Sequence, residues 1–178
     1  MEKLDFEYAL KLNSYIEITI DDDGDNDTYH GVVVSLSDIF ITIIEIDDFH
    51  ADGLTVIPIN RIEKFECGHS ERNKKKILKF NGLEIESDYS WLNLSSFKDL
   101  FKSIQQSSQS IFVESNDVRG TGFIHSSEKN HLIMQAFSPS GIQSDDPAVL
   151  DHKNIYAVCI GDEYSSVLCK YAKTIGQK

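Results

Sequence analysis

Cysteine is scarce in this chain of 178 residues. The three present, Cys67, Cys159 and Cys169, are an odd set without a Cys-x-x-Cys pair. They supply no disulfide framework and suit a reducing compartment. Long apolar runs are missing too: none reaches the roughly 20 residues that cross a bilayer as a helix. The opening Met1-Glu2-Lys3-Leu4-Asp5 has neither the basic start nor the apolar stretch of a signal peptide. The expected setting is the cytoplasm, away from membranes.

Motifs of catalysis are equally absent. There is no Gly-x-Ser-x-Gly, no Gly-x-Gly-x-x-Gly and no P-loop. His30, His125, His131 and His152 have no triad partners in sequence. Arg119-Gly120-Thr121-Gly122 is too short to cradle a phosphate and reads as a turn. Metal-ligand sets are incomplete. With Gly24 as the turn glycine of a calcium loop, positions one and twelve would be Thr19 and His30, which fails the EF-hand pattern. Asp48, His50 and Asp52 would share a face if extended, either as a carboxylate–imidazole site or as a wet turn. Cys67 and His69 lack the second pair that zinc requires. The expectation is no enzyme, no cofactor and no resident metal.

Positive charge is missing where negative charge concentrates. From Glu17 to Asn60 there are eleven acids and no Lys or Arg. Residues 1–89 carry 20 acids and 9 bases; residues 90–178 carry 9 and 8. Nearly all of the net charge of −12 therefore lies in the first half. Its bases bunch at Arg72, Lys74, Lys75, Lys76 and Lys79, the pattern of a solvated helix face or of a phosphate contact. An acidic field of this kind repels nucleic acid and attracts cationic surfaces.

What is present is β-branched and periodic. Apolar residues make up 40% of the chain, with ten Phe and seven Tyr, enough for a packed core. Ile16, Ile18 and Ile20 alternate with polar residues as in a half-buried strand. Asp21 to Asp27 reads as a loop, Tyr29–Leu36 as the next strand, and Ile39–Ile46 as a strand buried on both faces. Asp47 to Gly53 breaks the pattern before strands at Leu54–Ile59 and Ile62–Glu66. The order recurs at Ile111–Glu114, Gly122-Phe123-Ile124 and His131–Phe137. Ile62 to Gly68 and Ile155 to Gly161 are both six-residue steps; Gly31 to Ile62 is 31 residues and Gly122 to Ile155 is 33. Chance similarity of two β-rich halves is the competing explanation.

Helical spacing flanks each half, at Leu4–Leu12 and Leu94–Ile104 before it, with Ser95 or Ser96 as N-cap, and at Ser70–Phe80 and Glu163–Lys173 after it. The predicted fold is α+β: two tandem, small, five-stranded bent antiparallel barrels, each preceded by a helix. The first occupies residues 1–82 and the second 94–178. Residues 83–93 form a linker in which Leu83-Glu84-Ile85 could add a short strand. The expected core is Ile16, Ile18, Val32, Val34, Ile41, Ile43 and Ile57, then Ile111, Val113, Phe123, Ile133 and Val158.

Tyr29-His30-Gly31-Val32-Val33-Val34 followed by Ser37-Asp38-Ile39-Phe40-Ile41-Thr42-Ile43 resembles the second and third strands of the Sm-like fold. The resemblance covers about residues 4–66 and, more weakly, 94–160; other small SH3-like barrels fit the strand pattern too. It implies a barrel and, in many members, RNA binding. Sm-like RNA binders use an Asn after the apolar positions of strand three and an Arg-Gly pair between strands four and five. Here those places read Thr42-Ile43 and Asn60-Arg61-Ile62, and Arg119-Gly120 falls elsewhere. The expected function is thus a non-catalytic interaction protein whose acidic first barrel binds a basic protein partner, as small acidic nuclease inhibitors and immunity proteins do. The expected contacts are Asp21, Asp22, Asp23, Asp25, Asp27, Asp47, Asp48 and Asp52. An Sm-like RNA-binding or ribonucleoprotein role is the alternative.

Overall fold

A computed structural model describes residues 3–22, 25–83, 85 and 88–175. It is mainly antiparallel sheet with four helices, an α+β architecture, and it divides into two compact units, residues 1–90 and 91–178. In the first, helix α1 (Lys3–Lys11) precedes strands β1 (Tyr15–Asp22), β2 (Asp25–Leu36), β3 (Phe40–Asp47) and β4 (His50–Pro58). A 3-10 turn at Ile59–Arg61 leads to β5 (Ile62–Glu66), and helix α2 (His69–Phe80) closes the unit. The strands lie in the order β5-β1-β2-β3-β4, an open sheet in which every neighbouring pair is antiparallel. Bulges interrupt three of the four ladders, and each bulge bends and twists its strand.

The second unit repeats this order. Helix α3 (Phe97–Ser107) precedes β6 (Ile111–Ser115), β7 (Arg119–Ser127), β8 (His131–Phe137) and β9 (Ala148–Asp151). A 3-10 turn at His152–Asn154, β10 (Ile155–Ile160) and helix α4 (Glu163–Ile175) follow. The strand order within the unit is β10-β6-β7-β8-β9, again antiparallel and open. The correspondence reaches single residues. Ile16 pairs with Gly31 as Ile111 pairs with Gly122. A Cβ on Gly31 would lie 2.0 Å from the Ile44 carbonyl oxygen, and one on Gly122 would lie 2.2 Å from that of Gln135. The next strand thus runs through the space a side chain would fill. In both units a bulge follows, at Val34 and at His125.

Helix ends are fixed by local chemistry. Ser96 is the N-cap of α3, its hydroxyl oxygen accepting from the Asp99 backbone N–H at 3.1 Å. The Glu71 carboxylate accepts from the Gly68 N–H at 2.7 Å where α2 begins, and Asp162 accepts from the Ser165 N–H at 2.8 Å where α4 does. Each device satisfies a donor that a helix start leaves orphaned.

The core of the first unit contains Ile16, Ile18, Val32, Ile41, Ile43 and Ile57, all buried. Val34 is only half-buried because it is the bulged residue of β2, unpaired in the ladder. In the second unit Ile111, Val113 and Val158 are buried, whereas Phe123 and Ile133 are half-buried. The buried positions of β8 are Leu132 and Met134, on the opposite face from Ile133. Counting from the two glycines, Leu132 and Met134 match Ile41 and Ile43, while Ile133 matches Thr42. Strand β9 was not legible in the sequence. The short strand expected at Leu83-Glu84-Ile85 is absent at Leu83 and Ile85, and Glu84 lies outside the described residues. Ile41 is fully buried in β3, so Ile41→Ala should cost about 2–5 kcal/mol, read as a lower denaturation midpoint.

His152 is buried in the second 3-10 turn, its ring 5.1 Å from that of Phe97 and 5.5 Å from that of Phe101. Among the described residues its Nε2 is buried without a hydrogen-bond partner. Burial pushes the imidazole pKa below its ordinary value, outweighing the opposing field of Asp151. The unfolded chain therefore takes up this proton at a higher pH than the folded one. The stability contributed by the neutral ring is present above about pH 6.5 and is lost as pH falls below it. His152→Gln should flatten the fall in unfolding midpoint between about pH 7.5 and pH 5.5 relative to the unsubstituted chain.

Candidate functional site

Antiparallel topology decides where the acids go. Strand β1 runs toward its hairpin with β2, and β3 runs the same way toward its hairpin with β4. Both hairpins therefore lie at one end of the first unit's sheet. One carries Asp21, Asp22, Asp25 and Asp27; the other carries Asp47, Asp48 and Asp52. Asp23 lies outside the described residues. The sequence expectation of a loop over Asp21–Asp27 is corrected. The ladder continues through Ile20↔Asp27, Asp21↔Asn26 and Asp22↔Asp25. Ladder pairing continues there because the backbone bonds do not depend on the side chain. Asp22 and Asp25 thus take directly opposed positions in the ladder.

The second hairpin is also tighter than its composition suggests. The break expected over Asp47–Gly53 shrinks to a two-residue turn, Asp48-Phe49, closed by the pair Asp47↔His50. Both turn residues have positive φ, 41° and 75°. This is the backbone that lets a two-residue turn follow the twist of its strands. Asn-Gly or Asp-Gly usually supplies it; a phenylalanine there is an outlier that stores strain of order 1–3 kcal/mol. Asp48 sits in the turn while His50 and Asp52 sit in β4, so the three do not lie along one extended segment, and the turn alternative is the one that forms. Among the described residues no group of three His, Cys, Asp or Glu is arranged to hold a metal.

The acids differ in availability. Asp27 and Asp52 are half-buried and each has a partner within the protein. Asp47 and Asp48 are exposed, and among the described residues their carboxylates have none. Beside them lies a cavity of about 250 Å³ whose walls include Ile46, Phe49, Ile77 and Leu78 together with Asp48 and Lys74. Phe49 is 47% exposed and Ile77 48%. The turn offered no Gly or Asn to mark it, so neither the hairpin tip nor its exposed ring was readable beforehand.

The basic run from Arg72 to Lys79 lies on α2 as expected, and its members separate. The Lys74 ammonium sits 5.2 Å over the Tyr15 ring, and Lys75 donates to the Leu12 carbonyl. Arg72, Lys76 and Lys79 are exposed, and their spacing places them on a stripe opposite Lys74, Ile77 and Leu78. In the second unit Arg119 of the Arg-Gly pair is engaged internally. Its Nε donates to the Tyr156 hydroxyl at 2.7 Å and lies 3.8 Å from Glu114. No family model, no curated protein and no solved structure matches the chain.

Proposed function

We propose that the chain is a non-catalytic interaction protein of two Sm-like or SH3-like units, and that the acidic end of the first unit binds a cationic protein. One observation carries the reading: the topology brings two acidic hairpins, far apart in sequence, to the same end of one sheet. The second unit repeats the element order with 9 acids against 8 bases in residues 90–178, so this fold does not require the acids. The shared glycines and bulges support the view that the units are copies of one small bent-sheet design. The engagement of Arg119 by Tyr156 and Glu114 leaves it poorly placed for RNA. A synthetic Arg- and Lys-rich peptide of about 15 residues and a single-stranded RNA of equal length test the choice. The peptide should bind, with affinity falling steeply as salt rises; preferential binding of the RNA contradicts the proposal.

A further inference from the structure

We infer that Phe49 is a docking anchor: a basic protein segment seats an apolar side chain against its ring, in the groove between the β3–β4 hairpin and α2, while neighbouring cations meet Asp47 and Asp48. The inference rests on the cationic-partner reading and specifies what the partner carries beside its charge. The turn holds an aromatic residue at φ 75°, where glycine is the unstrained choice, and leaves nearly half of that residue exposed. The ring borders a mostly apolar cavity whose walls include Ile77, itself half-exposed, together with Asp48 and Lys74. The local charge favours a cation. Asp47 and Asp48 flank the ring without partners of their own among the described residues. Lys74 is itself part of the cavity wall, its ammonium held over the Tyr15 ring; Lys75 donates to the Leu12 carbonyl, and Arg72, Lys76 and Lys79 lie on the opposite stripe of α2. A segment with an aromatic or branched apolar residue adjoining arginine fits these features. Aromatic and arginine contacts are also where binding energy concentrates.

Two synthetic peptides of equal positive charge test this on the whole chain. One carries Phe, Trp and Leu among its arginines; the other has Ser and Gly at those places. The apolar peptide should bind about tenfold more tightly or better. Phe49→Gly should abolish that preference without lowering the unfolding midpoint, because Asp-Gly suits the turn. Ile77→Ser, on the facing wall, should reduce the preference as well. A preference that survives both substitutions overturns the inference. A lowered midpoint for Phe49→Gly also overturns it, since the ring would then serve to hold the hairpin on the helix. Equal binding of the two peptides, lost when Asp47 and Asp48 become Asn, leaves the acidic reading standing and removes the anchor. If neither peptide binds, the cationic-partner reading itself fails.

Discussion

Gly31→Ala should unfold most of the first unit, and Gly122→Ala most of the second. A methyl carbon 2.0 Å from the Ile44 carbonyl oxygen, or 2.2 Å from that of Gln135, lies well inside van der Waals contact. The obstacle is backbone in a paired strand, so no rotamer change relieves it. Strand β3 or β8 would have to retreat along its length, breaking its ladder with β2 or β7 and opening the core beneath. The expected loss is about 5 kcal/mol or more in each case, comparable to the whole stability of a small unit. Gly120→Ala is the internal control. Its nearest neighbours to a new Cβ are side-chain atoms of Val118 and Met134 at 3.8 and 3.9 Å. That substitution should be neutral, or stabilising by about 0.4–1 kcal/mol through the unfolded chain. Thermal or denaturant unfolding of the three variants checks the set. Tolerance of alanine at Gly31 would show that β2 and β3 are not so closely apposed.

Much of this architecture was legible in the chain because periodicity survives where one face is buried. Ile16, Ile18 and Ile20 announced β1, Ile39 to Ile46 announced β3, and the Ser95-Ser96 pair announced the start of α3. The six-residue steps to Gly68 and Gly161 marked the repeat. The failures share a cause: backbone pairing that side chains do not announce. The ladder through Asp21–Asp27 has no apolar alternation. The Asp48-Phe49 turn has no glycine. The bulge at Val34 reset the parity on which its core assignment depended, and Ile133 lies on the face of β8 opposite the buried Leu132 and Met134. The candidate surface was half legible. Its acids stood out by composition, but their gathering at one end needed the topology, and Phe49 needed the turn.

Replacing Asp21, Asp22, Asp23, Asp25 and Asp27 by Asn should slow association with a cationic partner and, at low salt, raise stability. Asn keeps the size and backbone preferences of Asp while removing charge, so the fold should persist. A stretch with eleven acids and no Lys or Arg between Glu17 and Asn60 has no permanent cation of its own to offset them, and its self-repulsion opposes the compact state. The same repulsion is attraction for an approaching cation. Steering of this kind raises on-rates by about 10–1000-fold where the field is unscreened. The Debye length shortens from about 30 Å at 0.01 M salt to about 8 Å at 0.15 M, so the advantage should fade over that range.

Association rates of the Arg- and Lys-rich peptide with three forms of the whole chain, measured from low to physiological salt, test the acidic end directly. One form is unsubstituted and one carries the five Asn substitutions in the first hairpin. The third removes the same charge elsewhere, at the exposed Glu7, Glu63, Glu128, Asp145 and Asp146. The unsubstituted and third forms should bind fast at low salt and slow steeply as salt rises, while the hairpin variant should be about tenfold slower at low salt with a flatter salt dependence. Equal slowing of the two substituted forms would contradict the account, because net charge alone, and not an acidic surface at one end of the first unit, would then govern binding.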